Sequence, residues 1–278
     1  MKGIFLILLH LVNMLWPPAK VRGRESLDLY TQVQDEKAAL LLNGMNERFP
    51  LKGKIVLDLG CGPGGVDYFL SRMGARVIGI DTAFFYLHHA VHYKRENGPS
   101  FVQGDIHALP FRSNSIDIVL LIDTIEHVSV PSQVIKECYR VLRDGGLLFV
   151  AFPPFYGRRS HHLYDYINIP WAHLLFPSEV LADYWKAKFK RDFRSGKVVL
   201  FPFKPKEIDE KVKFEQIFSL NKLTVTQFDK IVQGVSINII FKEEYSFLPS
   251  WLRLRALREI YVDYVVYLGV KEPSSKQH

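Results

Sequence analysis

A glycine-rich turn is the clearest candidate for chemistry in the sequence. The segment from Val56 to Gly65 reads VLDLGCGPGG, an apolar run that enters a turn with four glycines. Glycine adopts backbone conformations that other residues resist, and it lets a ligand approach the backbone closely. A helix that opens directly after such a turn presents free N–H groups to that ligand. The turn therefore predicts a binding site for a cofactor-sized ligand.

Four aspartates lie where successive apolar runs end, and these are Asp58, Asp81, Asp105 and Asp123. Asp81 comes 21 positions after Gly60. A carboxylate about 20 residues beyond such a turn can accept hydrogen bonds from both hydroxyls of an adenosine ribose. Asp105 can accept one from an adenine amino group. Because the carboxyl ends of parallel strands line one crevice, we expect the four acids to share a single site.

The same turn is also compatible with a second ligand. Gly60, Gly62 and Gly65 satisfy the spacing G-x-G-x-x-G of a dinucleotide site, which would indicate a nicotinamide-dependent oxidoreductase. Asp58 argues against it, because a carboxylate at the entrance of the turn repels a pyrophosphate but attracts an ammonium group. Pro63 argues against it as well, since proline removes a backbone donor.

Alternating apolar and amphipathic stretches predict the elements that carry these residues. The predicted strands are residues 54–59, 76–80, 100–103, 116–122, 147–152, 235–241 and 261–270. The predicted helices are residues 66–73, 82–96, 132–142, 178–190 and 226–233, the third of them stopping at Gly145 and Gly146. Strands that alternate with helices are typical of βαβ units and a parallel sheet.

Several of these stretches together resemble the class I S-adenosylmethionine-dependent methyltransferases, in particular the type-11 methyltransferase domain. The resemblance covers roughly residues 50–152 and is carried by residues 56–65, 77–81, 104–111, 115–128 and 141–152. It implies an α/β, Rossmann-like fold with a seven-stranded, mostly parallel sheet, an antiparallel last strand and helices on both faces. We expect one methyltransferase domain over residues 46–278 with an insertion at 153–215. Residues 1–45 would form an N-terminal apolar segment and a leading helix.

The resemblance also implies S-adenosylmethionine as the cofactor and a role for each acid. Gly60 and Gly62 would pack on the methionine portion, with Asp58 near its amino group. Asp81 would hold the ribose. The remaining cofactor-binding residues are Cys61, Thr82, Asp105 with the Ile106 backbone at the adenine, and Asp123 at the sulfonium. The implied reaction transfers a methyl group to a small-molecule or lipid-linked acceptor, and a non-catalytic S-adenosylmethionine-binding protein is a further alternative.

Methyl transfer requires an acceptor pocket and, for an oxygen acceptor, a general base. His127 is one candidate base. Asp123, Glu126 and His127 together have the residue types of a divalent metal site. The alternative that we favour is that Glu126 and His127 make structural hydrogen bonds, so no metal is predicted.

The insertion at 153–215 follows the fifth strand and is expected to fold over the crevice as a lid. His162 and Tyr164 are further candidates for the acceptor side, and Arg158 and Arg159 suit an anionic acceptor. The alternative is an aromatic core that supports the loop. A metal pair of His161 and His162 has poor geometry, because neighbouring side chains diverge.

The composition of the chain excludes several classes of protein. The chain has 278 residues and is 48% hydrophobic, which excludes a disordered chain. Cys61 and Cys138 are its two cysteines; they exclude a disulfide scaffold and indicate a reducing, cytoplasmic compartment.

Lys and Arg outnumber Asp and Glu by 36 to 29, which gives a net charge of +7. No RNA-binding module is recognisable, so nucleic acid is not expected as a partner. The oligomeric state is not predicted.

The N-terminus allows several interpretations. Residues 3–16 are largely apolar and end in Trp16, and Pro17 and Pro18 follow. The run is shorter than the roughly 20 residues that a spanning helix needs. It is expected to be either a short helix docked on the domain or an interfacial membrane helix with Lys20, Arg22 and Arg24 just beyond it. A cleaved signal peptide is a third interpretation.

The basic stretches at 186–194 and 248–258 are either solvated helix faces or contacts with anionic lipid.

Overall fold

The computed structural model describes residues 2–17, 22–23, 25–93, 98–196 and 213–273. Lys20, Arg24, residues 94–96 of a predicted helix and residues 197–212 of the insertion lie outside this part of the chain. The strands are β1 (Ile55–Leu59), β2 (Arg76–Asp81), β3 (Ser100–Gln103), β4 (Ile116–Ile122), β5 (Leu142–Phe152), β6 (Ile237–Ser246) and β7 (Val262–Lys271). The α-helices are α1 (Lys2–Leu15), α2 (Leu27–Arg48), α3 (Gly65–Arg72), α4 (Phe84–Tyr93), α5 (Pro131–Val141), α6 (Ala172–Leu175), α7 (Ser178–Arg194), α8 (Phe214–Ile217), α9 (Val225–Gln233) and α10 (Arg258–Tyr261).

The seven strands form one sheet in the order β3-β2-β1-β4-β5-β7-β6. The first five strands pair in parallel, and β7 pairs antiparallel with both β5 and β6. The predicted sheet, with an antiparallel last strand, is therefore confirmed. Because the order reverses between β1 and β4, a crevice opens outside the carboxyl ends of these central strands.

Two hydrophobic clusters cover the two faces of the sheet. Val119 and Leu121 of β4 point into a cluster with α5 and α9. Ile118 and Leu120 of the same strand point into a second cluster, with α2 and α3. This alternation is what a strand buried on both faces produces. The helices thus fix the position of the strand ends from both sides.

A third hydrophobic cluster joins the insertion to the N-terminus. Leu9 of α1 is completely buried there, together with Trp185 and Phe189 of α7. The Asn13 amide donates a hydrogen bond to the carbonyl of Tyr166 over 2.7 Å. Of the interpretations of this segment, the structure therefore shows a helix docked on the insertion. Among the described helices, none has both the length and the apolar character that crossing a membrane requires.

Two predicted boundaries were wrong for identifiable reasons. The helix predicted to stop at Gly145 and Gly146 ends at Val141, and β5 begins directly at Leu142. The two glycines instead lie in an irregular part of β5, where the register to β4 shifts. The strand predicted over residues 235–241 is longer, because β6 continues through a charged stretch to Ser246. A strand at the edge of a sheet carries charges on its exposed side, so apolar content underestimates its length.

Candidate functional site

All nine residues predicted to bind the cofactor line one cavity of about 1000 Å³. The cavity lies at the carboxyl ends of β1, β2 and β4, where the strand order reverses. These residues are Asp58, Gly60, Cys61, Gly62, Asp81, Thr82, Asp105, Ile106 and Asp123. The structure thus brings the whole set together, as the strand-end argument requires.

The glycine turn passes close to the wall of the cavity. Gly60 has a φ of 77°, and a Cβ atom there would lie 2.5 Å from the Thr124 side chain. Gly65 opens α3, and a Cβ there would lie 2.2 Å from the carbonyl oxygen of Thr31 on α2. Both positions therefore need glycine, the first for the backbone conformation and the second for the approach of α2.

Asp81 is held in place and keeps acceptor capacity. One of its carboxylate oxygens accepts the Gly62 N–H over 2.9 Å, and the other accepts the Ala83 N–H over 2.8 Å. A carboxylate oxygen has two lone pairs, so each oxygen can accept one further hydrogen bond. This geometry suits the two neighbouring hydroxyls of a ribose.

Asp58 forms a buried acidic pair with Asp67 of α3. The pKa of Asp58 is raised to about 7. Burial is the largest cause, the hydrogen bond with Asp67 acts in the opposite direction, and the charge of Asp81 raises the pKa further. Burial, followed by the charge of Asp58, raises the pKa of Asp67 well above its usual range. A cationic group beside Asp58 would favour its ionised form. The pair therefore fits the ammonium group of S-adenosylmethionine, and it does not fit a pyrophosphate.

Asp105 lies at the other end of the cavity and is largely exposed. Its Oδ1 accepts the backbone N–H of His107 over 2.9 Å and lies 2.6 Å from the ring Nδ1 of the same residue. These hydrogen bonds lower the pKa of Asp105. The carboxylate is thus kept ionised and able to accept hydrogen bonds.

Asp123 differs from the other three acids because partners from distant parts of the chain contact it. Lys37 of α2 forms an ion pair with it, and the Tyr264 hydroxyl of β7 donates a hydrogen bond over 2.8 Å. Asp123 also has a left-handed φ of 51°. Lys37 and its neighbours on α2, Val33 and Gln34, line the cavity. The sequence predicts a leading helix before residue 46, but it does not predict that this helix lines the cavity, since none of its residues belongs to a recognisable motif.

The cavity is also lined by a second segment that the sequence did not reveal. Ser219, Leu220 and Asn221, in the connection between α8 and α9, line the cavity together with His127 and Tyr164. Asn221 fixes this connection, because its side-chain amide donates to the carbonyls of Ile125 and Val128 over 2.8 Å each.

Of the structural hydrogen bonds expected for Glu126 and His127, the structure shows one for the His127 side chain and none for the Glu126 side chain within the described residues. His127 does make a structural hydrogen bond, from its Nδ1 to the Phe218 carbonyl over 2.7 Å. Glu126 is 3% exposed, and neither carboxylate oxygen has a hydrogen-bond partner among the described residues. Burial lowers the pKa of His127, so its ring is neutral near pH 7.

The predicted residues of the insertion separate into two groups. Tyr164 lines the cavity, whereas His162 is absent from its lining and packs against His127 with ring centroids 5.0 Å apart. His161 points into the core beside His173, so the two neighbouring histidines diverge as expected. Neither Arg158 nor Arg159 lines the cavity, and Arg158 instead donates a hydrogen bond to Asp263 over 2.8 Å.

The sheet order and the crevice define the α/β methyltransferase fold. A family model described as a methyltransferase domain matches residues 57–150. Two solved structures share the fold: an S-adenosylmethionine-dependent methyltransferase of Methanosarcina mazei and the magnesium protoporphyrin IX methyltransferase of Synechocystis with bound S-adenosylmethionine. The first is 18% identical with a TM-score of 0.51 and covers 82% of this chain and 97% of that one. The second is 15% identical with a TM-score of 0.51 and covers 86% and 80%.

Residues 57–150 thus match the type-11 methyltransferase domain of S-adenosylmethionine-dependent methyltransferases. Among its relatives, the ubiquinone biosynthesis O-methyltransferase of Pseudomonas fluorescens is 36% identical over 115 residues, which are 40% of this chain and 50% of that protein. The corresponding protein of Pseudomonas savastanoi is 37% identical over the same shares. The chain thus spans about half the length of these relatives. The family match favours this class over the nicotinamide-dependent oxidoreductase.

Proposed function

We propose that this protein transfers a methyl group from S-adenosylmethionine to a small-molecule or lipid-linked acceptor. The observation that carries the proposal is the single cavity that unites the nine cofactor-side residues with a second wall formed by α2, Tyr164 and the segment 219–221. Its volume of about 1000 Å³ lies at the upper end of the range for small-ligand pockets, roughly 300–1000 Å³. The cavity therefore has room for an acceptor beside the cofactor.

The residues of the chain position the reactants and exclude water. Bound S-adenosylmethionine supplies an electrophilic methyl group on a sulfonium. The chain would hold the acceptor atom in line with that methyl group, and an oxygen acceptor would need a base to take its proton. His127 and Tyr164 are the proposed residues on the acceptor side of the cavity, and Asp123 borders the reacting carbon.

The acceptor class rests on the relatives and on the lining of the cavity. The matched proteins of Pseudomonas are named for O-methylation in ubiquinone biosynthesis, which is consistent with a lipid-linked, oxygen-bearing acceptor. The second wall combines the aromatic rings of Tyr30 and Tyr164 with the apolar side chains of Val33 and Leu220. Such a mixed wall suits an aromatic molecule with a polar substituent.

The experiment that tests the proposal uses S-adenosylmethionine with a deuterated methyl group. The purified protein is incubated with this cofactor and a cell extract, and mass spectrometry detects newly labelled molecules. We expect labelled species with the wild type and with the exposed control Asp144→Asn, and much less labelling with Asp81→Ala at a cofactor concentration that just saturates the wild type. A wild type that binds S-adenosylhomocysteine yet labels no acceptor class would contradict the proposal and identify a non-catalytic binding protein.

We propose that α1 rests on an anionic lipid surface. Leu9 and Asn13 are buried against the insertion, but the opposite face of α1 is exposed and apolar, with Ile7 at 64%, Leu11 at 56% and Met14 at 68%. The helix contains no acidic residue, its end carries Trp16, and the chain has a net charge of +7. These features are typical of an interfacial helix, and they suit a lipid-linked acceptor.

Binding to vesicles tests the proposed lipid contact. We expect the wild type to sediment with vesicles of mixed anionic and neutral phospholipids, and a double variant Ile7→Glu/Leu11→Glu to remain in solution. The matched control is Leu40→Glu, because Leu40 is 87% exposed on α2 and should leave sedimentation unchanged. A wild type that forms dimers and ignores vesicles would show that a second copy of the chain covers this face.

A further inference from the structure

Three potential metal ligands from two distant segments meet beside the cavity. Glu126 and His127 lie in the short turn after β4, and His162 lies in the insertion after β5. One ligand atom of each lies within 4.8 Å of the other two. Asp123, which the sequence grouped with the first two, is instead engaged by Lys37 and Tyr264. The structure therefore replaces one member of that set with His162.

Glu126 is a buried carboxyl group whose charge a bound cation would compensate. Its side chain is 3% exposed, and both carboxylate oxygens lack a hydrogen-bond partner in the described part of the chain. Buried carboxylates are costly unless they are hydrogen-bonded, paired with a charge or bound to a metal. Lys37 forms its ion pair with Asp123 and makes no hydrogen bond to Glu126. A cation bound by the cluster would compensate the charge of Glu126.

His127 is oriented as metal-binding histidines are. Its Nδ1 donates to the Phe218 carbonyl, which leaves the lone pair on Nε2. Nε2 lies 3.8 Å from Oε1 of Glu126. A backbone carbonyl on the other ring nitrogen is the usual outer contact of a metal-bound histidine. Nε2 thus carries the lone pair and lies near the carboxylate without a hydrogen bond between them.

His162 reaches the cluster through an unusual backbone conformation. Its φ of 55° lies in the left-handed region, which residues other than glycine rarely adopt. Such strain concentrates at functional positions. The conformation turns His162 toward His127, while the preceding His161 points into the core.

We propose that Glu126, His127 and His162 bind one divalent transition-metal cation of the zinc class. Two imidazoles and one carboxylate form a ligand set that zinc sites use when a fourth position stays open. Small side-chain rotations would bring the three atoms to zinc bond lengths of about 2 Å. The ion would tie the insertion to the end of β4 and occupy Nε2 of His127. His127 would then not act as a free base.

Zinc binding to metal-free protein tests this inference. The protein is dialysed against a chelator and titrated with Zn²⁺ by calorimetry, and bound metal is counted after gel filtration. We expect one zinc ion per chain in the wild type and an affinity at least tenfold weaker in both His162→Ala and Glu126→Gln. The control His92→Ala, which changes an exposed histidine on α4, should bind zinc as the wild type does.

The two variants also separate metal binding from folding and from the proposed reaction. Thermal unfolding and S-adenosylhomocysteine affinity are measured on each protein without metal, and both should remain close to wild type. A wild type that binds no zinc would overturn the inference and indicate that Glu126 is buried as a neutral acid. Equal zinc binding by the wild type and both variants would overturn it as well, because the ion would then be held elsewhere.

Discussion

The two walls of the cavity are built in different ways. The cofactor wall consists of residues that directly end or follow β1, β2, β3 and β4, so each position is set by one strand. The proposed acceptor wall consists of Lys37 and its neighbours on α2, Tyr164 in the insertion and the segment 219–221. These three segments depend on packing and on single hydrogen bonds between distant parts of the chain. The first wall is therefore positioned by the sheet itself, and the second depends on contacts between segments far apart in the sequence.

The largest effect is expected at the cofactor wall, from Gly60→Ala. The new Cβ would meet Thr124 at 2.5 Å, and the φ of 77° strains any other residue. Left-handed strain of about 1–2 kcal/mol and overpacking of about 1–3 kcal/mol together predict a loss of several kcal/mol in unfolding free energy. Urea denaturation measures this loss, and calorimetry should detect no binding of S-adenosylhomocysteine.

Gly53→Ala is the matched control for this change. Gly53 has the same φ of 77°, but no atom lies within 4 Å of an added Cβ. It should lose only the strain, about 1–2 kcal/mol, and should keep its affinity for S-adenosylhomocysteine. Equal losses of unfolding free energy in the two variants would show that the close approach to Thr124 does not contribute to the effect of Gly60→Ala.

An intermediate effect is expected at the acceptor wall, from Asn221→Ala. The change removes three hydrogen bonds, two from the side-chain amide to the carbonyls of Ile125 and Val128 and one from the Leu223 N–H to the side-chain oxygen, and should cost about 2–4 kcal/mol of unfolding free energy. Methyl transfer should fall while the affinity for S-adenosylhomocysteine stays unchanged, because the cofactor wall is intact. Asn238→Ala, at an exposed position on β6, is the control. Equal losses of affinity and of transfer would contradict the separation of the two walls.

The smallest effect is a dependence of cofactor affinity on pH. Burial raises the pKa of Asp58 to about 7, so the free protein carries a proton there at lower pH. An ammonium ligand favours the ionised acid, and binding then releases that proton. Affinity for S-adenosylhomocysteine should rise with pH, by at most tenfold per unit, and level off above about pH 7. Calorimetry from about pH 5.5 to about pH 8 measures this dependence of affinity on pH. Asp58→Asn should flatten the profile.

The difference between the walls also explains what the sequence could reveal. Asp81 and Asp105 could be placed because parallel strands end at one edge, so a linear pattern predicts a shared location. Nothing in the pattern around Gln34 or Lys37 predicts that α2 reaches the cavity. That approach depends on Gly65, which leaves space for the Thr31 carbonyl. The partners of Asp123 are separated from it by 86 and 141 residues, which is beyond any local pattern.

The most direct measurement of the central claim is the affinity of the purified protein for S-adenosylhomocysteine, with NAD as the competing ligand. We expect calorimetric binding of S-adenosylhomocysteine to the wild type and none of NAD. Asp81→Ala should bind about 100-fold more weakly, since it removes two hydrogen bonds of roughly 1.5 kcal/mol each from a charged acceptor. Binding of NAD in place of S-adenosylhomocysteine, or unchanged affinity in Asp81→Ala, would contradict the assignment of the cavity.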